Sequence, residues 1–346
     1  DDEGFRVEIA ALPELTTVGA TQCHDPEGDN CIYPQLGSPP SKESSGSGYY
    51  TIDEYKSILQ YANDLHIEII PEVDMPGHAH AIIKAMQSRN KTVGDGKYVL
   101  WDEDDTTRYL SVQYFSDNAM NPCIDSTYTF AETIIDAFVE MHKDIQPLKV
   151  FHWGGDEVPG AWEESPICRE LANNDPDLPW NATMKEFKGY FAKKVQEIIT
   201  KKGLGSGSWE DGVLSADRNP LDIPAGQTLY VNAWSNVWEW GDGRLAYEFA
   251  NKGYKSIISH ATHTYFDHPV EADPEERGYY WATRFTDNFK VFSFVASDVY
   301  KNIDVTRMGE EMPDDFCNSK TCPELEKPEN IIGIQGHIWS ETIRKP

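Results

Sequence analysis

The chain has 346 residues, long for one ordinary domain and normal for an α/β barrel, and its 39% hydrophobic content is ample for a large core. Lys and Arg number 30 against 58 Asp and Glu, a formal net charge of −28 that opposes binding to nucleic acid or to an anionic membrane surface. No stretch approaches the roughly 18 consecutive apolar residues of a membrane span. Residue 1 is Asp rather than the start of a signal peptide, so the chain reads as soluble and already trimmed.

In chain order, Asp1-Asp2-Glu3-Gly4-Phe5-Arg6 begins with acid and no preceding strand, and residues 20–50, rich in Gly, Ser and Pro, read as surface loop. Thr51-Ile52-Asp53-Glu54 matches a capping box, and Tyr55, Ile58, Leu59 and Ala62 follow at helical spacing, so a helix is expected from about residue 52 to Asp64. Residues 67–73 then read as a strand that runs into Asp74-Met75-Pro76-Gly77-His78. His80, two residues beyond His78, makes a His-x-His pair able to ligate a metal ion.

A polar excursion over 88–125 ends at Cys123, and a helix marked by Phe130, Ile134, Phe138 and Met141 feeds the apolar run Val150-Phe151-His152-Trp153. That run breaks at Gly154-Gly155 and delivers the adjacent carboxyls Asp156 and Glu157, as a barrel strand does when its C-terminal mouth carries chemistry. Thr183-Met184-Lys185-Glu186 is a second capping box, opening a helix to about Lys202. A short strand ends at Trp209-Glu210-Asp211-Gly212, another over 228–233 ends at Trp234, and one over 255–260 exits to His263, Tyr265 and Asp267. A short helix is expected at about 244–252, and Ile331 to Gln335 leads to His337, Trp339 and Glu341.

The repeated order of strand, polar or aromatic exit and helix predicts a parallel sheet with its functional groups at one edge. Six strands are expected, near 67, 149, 205, 228, 255 and 331. The expected fold is α/β, a TIM-type (β/α)8 barrel forming one domain over 1–346, with its first strand or strands missing before Asp1 and its closing helix missing after Glu341. A doubly wound open sheet is the alternative, weakened because every strand exit, not one switch point, carries Trp, His or acid.

The cysteines pair by proximity as Cys23 with Cys31 and Cys317 with Cys322, leaving Cys123 with Cys168, although six cysteines admit other connectivities. Disulfides imply an oxidising compartment: secreted, lysosomal or periplasmic. Asn90-Lys91-Thr92 and Asn181-Ala182-Thr183 are sequons that could be glycosylated there.

Taken together, Pro71-Glu72-Val73-Asp74-Met75-Pro76-Gly77-His78, His152-Trp153-Gly154-Gly155-Asp156-Glu157, Trp209-Glu210-Asp211-Gly212, Asn232-Ala233-Trp234, Tyr265-Phe266-Asp267, Glu276-Arg277-Gly278-Tyr279-Tyr280-Trp281 and Trp339-Ser340-Glu341 resemble the family 20 glycoside hydrolases, the β-N-acetylhexosaminidases, and within them the chitobiase-like group. The pieces occur in family order, beginning with Asp1-Asp2-Glu3-Gly4-Phe5-Arg6. The resemblance implies Glu157 as general acid, with Asp156 polarising the substrate acetamido group and His78 and Asp74 as a relay behind the acid. It implies Trp209, Trp234 and Trp339 as walls of an acetamido-methyl pocket and Tyr265 as a donor to the acetamido oxygen. Asp267 and Glu341 would bind sugar hydroxyls, Trp281 would stack on the next sugar, and Asp1 matches an acidic site position.

The family's sugar-gripping Arg would lie on a strand before Asp1. The implied substrate is an oligosaccharide ending in β-linked GlcNAc or GalNAc, cleaved with retention by substrate-assisted catalysis without metal or cofactor. Adjacent carboxyls cannot straddle an anomeric carbon, and they should separate in pKa, leaving one protonated as the acid. The rival readings are a non-catalytic carbohydrate-binding fragment and a metal-dependent barrel hydrolase built on His78 and His80. The oligomeric state is not legible.

Overall fold

A computed structural model describes residues 2–33, 41, 43–158 and 160–339. The chain forms two compact units, one of residues 1–207 with 211–219 and the other of residues 208–210 with 220–346.

The first unit carries helices α1 (Glu14–Thr17), α2 (Ile52–Asp64), α3 (His80–Val93), α4 (Asp125–His142), α5 (Pro166–Asn174) and α6 (Met184–Lys201), strand β1 (Val150–His152) and the start of β2 (Gly205–Trp209). Both capping boxes form. Glu54 N donates to Thr51 Oγ1 (3.2 Å) while Thr51 N donates to the Glu54 carboxylate (2.8 Å), and Thr183 N donates to Glu186 Oε2 (2.8 Å). These local devices put the helix starts where the sequence predicts them.

Tyr55 of α2 packs edge-on against Phe138 of α4 and meets the buried His142. His142 Nδ1–H donates to the Gln146 carbonyl (3.0 Å), which leaves Nε2 to accept from the Tyr55 hydroxyl (2.9 Å). Burial holds the His142 pKa below its ordinary value, so this polar pair is neutral and satisfied. Phe191 of α6 stacks on Tyr128 of α4 and touches the fully buried Trp153, whose indole N–H donates to Ser206 Oγ (3.0 Å). β1 and β2 pair in parallel, Val150 opposite Gly205 and His152 opposite Gly207.

Five strands form among the described residues rather than the six expected. Over residues 67–70 the backbone is taken up by one side chain: Gln146 accepts from Ile69 N (2.7 Å) and donates to Ile67 O (2.7 Å), and Ile67 and Ile70 are exposed. Pro71 then lacks an N–H, and what remains is a single parallel bridge between Glu72 and His152, flanked by Val73 N to His152 O (3.1 Å) and Met75 N to Trp153 O (2.9 Å). The segment is extended and lies beside β1, delivering Asp74 and His78, but it is not a strand.

In the second unit β3 (Leu229–Ala233), β4 (Lys255–Ile258) and β5 (Ile331–Ile334) are parallel in that order, with Val231 opposite Ser256 and Ile258 opposite Ile334. α7 (Leu245–Lys252) covers β4, its Ala246 carbonyl accepting from Ser256 Oγ (2.9 Å). Ala233, Ala246, Tyr247, Ile258 and Val299 form the core of this unit. The short helices α8 (Ala261–Thr264) and α9 (Asn288–Phe292) follow β4. Parallel strands joined by helices confirm the α/β class.

All three cysteine pairs read from spacing are disulfides: Cys23–Cys31, Cys123–Cys168 and Cys317–Cys322. The sequon at Asn90 lies inside α3, whereas Asn181 is exposed in the turn before α6. No helix among the described residues is long and apolar enough to cross a membrane.

Candidate active site

At the end of β1 the chain turns on two left-handed glycines, Gly154 (φ 70°) and Gly155 (φ 95°). A Cβ at Gly154 would stand 1.8 Å from Asp74 Oδ1, and one at Gly155 would stand 2.4 Å from the Trp153 ring. No other residue fits either place, and the resulting turn brings Asp74 against the strand exit: Gly155 N donates to Asp74 Oδ1 (3.1 Å). Glu157 (φ 46°) and His78 (φ 48°) are themselves left-handed, a conformation that costs non-glycine residues energy and clusters at functional sites.

His78 sits between carboxylates on both sides. Its Nδ1 is 2.8 Å from Asp2 Oδ2, and its Nε2 is 3.2 Å from Glu157 Oε2 and 3.5 Å from Asp156 Oδ2. Burial disfavours the imidazolium, but the Asp156 charge and hydrogen bonds to Asp156, Asp2 and Glu157 outweigh it and raise the His78 pKa well above the ordinary value. These contacts favour the imidazolium form of His78. Asp2, only 1% exposed, also accepts from His80 N (3.0 Å) and Asn118 Nδ2 (3.1 Å). Burial pushes its pKa up, and the hydrogen bond and charge of His78 bring it below the ordinary carboxyl value.

The expected relay is thus rearranged. The carboxyl on the far nitrogen of His78 is Asp2, which the sequence reading did not single out, while Asp74 pairs with Asp156. Burial and then the Asp156 charge raise the Asp74 pKa well above the ordinary value, which favours its protonated form. Asp156 is depressed: burial opposes ionisation, but the His78 charge and hydrogen bonds from His78 and Asp74 win. Asp74 and Asp156 are thus carboxyls driven apart in pKa, Asp74 upward and Asp156 downward. Asp156 Oδ1 is buried with no hydrogen-bond partner. Glu157 N donates to Asp211 Oδ2 (2.7 Å), which fixes the backbone at Glu157.

The two rings face different carboxylates, His78 facing Asp2, Asp156 and Glu157 and His80 facing Asp117. His80 Nδ1 turns to Asp117 (2.8 Å) and its ring stacks on Phe115, while the groups near enough to share an ion are Asp74, His78 and Asp156.

In the second unit the strand exits gather aromatic rings. Trp209 at the end of β2 lies 5.8 Å from Trp339, ring centre to ring centre, and Trp234 lies 5.6 Å from Trp281 and 6.4 Å from Tyr265. Tyr265 also meets Trp281 (5.6 Å) and Trp339 (5.7 Å), so five predicted residues form one aromatic cluster. His337, absent from the predicted set, joins it, stacked on Trp339 and 4.7 Å from Tyr265. Asp267 Oδ2 accepts from the Trp281 indole (3.0 Å), and its Oδ1 is buried with no hydrogen-bond partner. Asp1 and Glu341 lie outside the described residues.

The first unit has carboxyls at a strand exit and the second has indoles at its own, and both kinds of group are used by glycoside hydrolases. The family model described as glycosyl hydrolase family 20, catalytic domain, matches residues 1–346, and the chain belongs to that family. A "Beta-hexosaminidase" of Vibrio vulnificus is 43% identical over 354 residues, covering 99% of this chain and 40% of that protein. An "N,N'-diacetylchitobiase" of Vibrio harveyi is 34% identical over 386 residues, covering 99% of this chain and 42% of that protein. A crystal structure of the exo β-N-acetylglucosaminidase of Vibrio harveyi, solved with N-acetylglucosamine, superposes with a TM-score of 0.73 at 27% identity, covering all of this chain and 45% of that one. This chain thus spans less than half the length of these relatives. The likeness places it in the (β/α)8 barrel class expected from its sequence.

Proposed function

We propose that the protein carrying this chain is an exo-acting β-N-acetylhexosaminidase. It releases terminal non-reducing β-linked GlcNAc or GalNAc from chitobiose, chitooligosaccharides or glycans, with retention, and the substrate's own acetamido oxygen is the nucleophile. The observation that carries this reading is the pairing at the β1 exit: Asp156 holds a buried, unpartnered Oδ1 beside Glu157, which lies against His78. Ordinary retaining enzymes place two carboxyls on opposite faces of the sugar, about 5–5.5 Å apart, and adjacent residues cannot straddle a ring in that way.

In the proposed sequence Asp156 accepts the acetamide N–H and directs the acetamido oxygen toward C1. That oxygen forms a bond to C1 as the glycosidic C1–O bond breaks, and Glu157 gives its proton to the departing oxygen. Water then attacks C1 and opens the cyclised sugar while Glu157 takes a proton from it, restoring the β anomer. His78, held by Asp2, positions Glu157. Trp209, Trp234 and Trp339 enclose the acetamido methyl, Tyr265 donates to the acetamido oxygen, Asp267 takes a sugar hydroxyl on its free Oδ1, and Trp281 stacks on the next sugar. Asp1 and Glu341 belong to the same proposal as ligands of sugar hydroxyls.

The family match over residues 1–346 supports treating both units as parts of one catalytic domain. The three disulfides support an oxidising, secreted, lysosomal or periplasmic setting. The test is hydrolysis by the full-length protein of aryl β-GlcNAc, β-GalNAc and β-glucoside, with mass spectrometry of enzyme trapped by a slow fluorosugar. Cleavage of N-acetylhexosaminides alone with no covalent sugar on any carboxyl is expected. Comparable turnover of the β-glucoside, or a sugar ester on Asp156 or Glu157, would overturn the reading.

A further inference from the structure

Both sequons lie in the first unit, and the fold treats them differently. Asn90 falls in the last turn of α3 and is half-buried, and Thr92 Oγ1 donates to the Ser88 and Arg89 carbonyls (3.1 Å each). Asn181 lies between α5 and α6 in a reverse turn, which Ala182 N closes by donating to Pro179 O (2.9 Å). The turn is pinned at its base. Ala182 is buried with Trp162, Cys168 and Phe187, Leu178 packs on the same cluster, and Arg169 Nη1 donates to Ala182 O (2.7 Å). The two residues at the tip, Trp180 and Asn181, are therefore held out in water, and Trp180 is 78% exposed.

The order of these two residues has a chemical consequence. Consecutive Cα atoms are about 3.8 Å apart, so a sugar attached to Asn181 starts beside the indole, whose face takes the apolar face of a pyranose. Thr183 completes the sequon and also caps α6: its N–H and its Oγ1 both donate to Glu186 Oε2 (2.8 and 2.6 Å). The threonine hydroxyl that the acceptor motif requires is thus free only before α6 forms. The capping bonds run between Thr183 and Glu186 and do not use Asn181, so a glycan there leaves the helix start intact.

We propose that Asn181 is an N-glycosylation site and Asn90 is not, with the first N-acetylglucosamine of the glycan resting on Trp180. In the transfer, Asn181 Nδ2 bonds to C1 of that sugar on a lipid-diphosphate donor. The bond from C1 to the diphosphate oxygen breaks, the lipid diphosphate departs with its electron pair, and the amide gives up one proton to a base of the transferase. The glycan covers an apolar ring that otherwise stays in water. The inference rests on the oxidising setting proposed above, narrows it to a secretory pathway, and is independent of the catalytic reading.

The experiment takes the full-length protein from the cells that produce it and treats it with a peptide N-glycanase in heavy-oxygen water. Peptide mass spectrometry then marks a formerly glycosylated asparagine as an aspartate carrying heavy oxygen. Label is expected at residue 181 and not at residue 90. Deglycosylated wild type, and Asn181→Gln made through the same pathway, are expected to melt about 2 °C below the glycosylated wild type, as for the loss of one contact on an aromatic ring. Deglycosylation of Trp180→Ala is expected to shift its melting temperature by less than half as much. No label at residue 181 in protein whose Cys123–Cys168 disulfide is formed, or label at residue 90, would overturn the assignment, and equal shifts in wild type and Trp180→Ala would overturn the stacking. Reduced cysteines in the protein from its own cells would instead overturn the oxidising setting on which the inference rests.

Discussion

Replacing Asp2 by Asn removes one charge from the His78 network while keeping the shape of the side chain. The Asp2 to His78 contact is 2.8 Å, and a unit pair at that separation is worth about 6 kcal/mol at an effective dielectric of about 20, before desolvation is subtracted. Removing one partner of a buried pair costs about 3–5 kcal/mol. Asn retains an oxygen that can accept from Nδ1, so the expected loss is at the lower end, about 3 kcal/mol.

The pH dependence follows from the two shifts. Asp2 is depressed, so its contribution is present above 3.8 and is lost as pH falls through its folded value. His78 is raised, so its contribution is complete below 6.5 and is lost as pH rises through its folded value. The gap between wild type and Asp2→Asn in urea denaturation should therefore be full at about pH 5.5 and narrow toward both extremes. Turnover should fall about a hundredfold as Glu157 loses its positioned support. A gap below about 1 kcal/mol at pH 5.5, or one that does not narrow as pH falls below 3.8, would refute the reasoning.

Four further outcomes are expected. Replacing Cys123 and Cys168 by Ser, whose separation of 45 residues closes the longest of the three disulfide loops, should lower unfolding stability by about 4 kcal/mol in denaturant titration. Glu157→Gln should slow substrates with poor leaving groups far more than activated aryl glycosides, whereas Asp156→Asn should slow both, which initial rates on a leaving-group series will show. Trp234→Ala should cost about 3–5 kcal/mol of preference for the N-acetyl sugar over glucose if the ring packs fully on the methyl, read as the ratio of kcat/KM values. Exhaustive dialysis against a chelator should leave activity unchanged, since the proposed mechanism gives Asp156 and His78 roles that need no ion at the Asp74, His78 and Asp156 group.

The sequence by itself determined what depends on near neighbours. Thr51 with Glu54 and Thr183 with Glu186 start helices because the capping hydrogen bonds join residues three apart. The glycines after Trp153 announce a turn, and the aromatic residues at successive strand ends announce a site, because a parallel α/β fold delivers its strand exits to one edge. What the sequence could not decide was pairing across distance. Asp2 reaches His78 over 76 residues, and nothing local distinguishes it from Asp74, which lies four positions from the histidine and reads as the natural partner.

Tertiary burial also decided the protonation order. Asp74 is raised because the Gly154-Gly155 turn lets it lie against the strand exit beside Asp156, a proximity absent from their 82-residue separation in sequence. The segment 67–73 has strand-like composition, yet Gln146 takes its backbone groups and Pro71 interrupts the ladder, so a hydrophobic pattern alone overstates it.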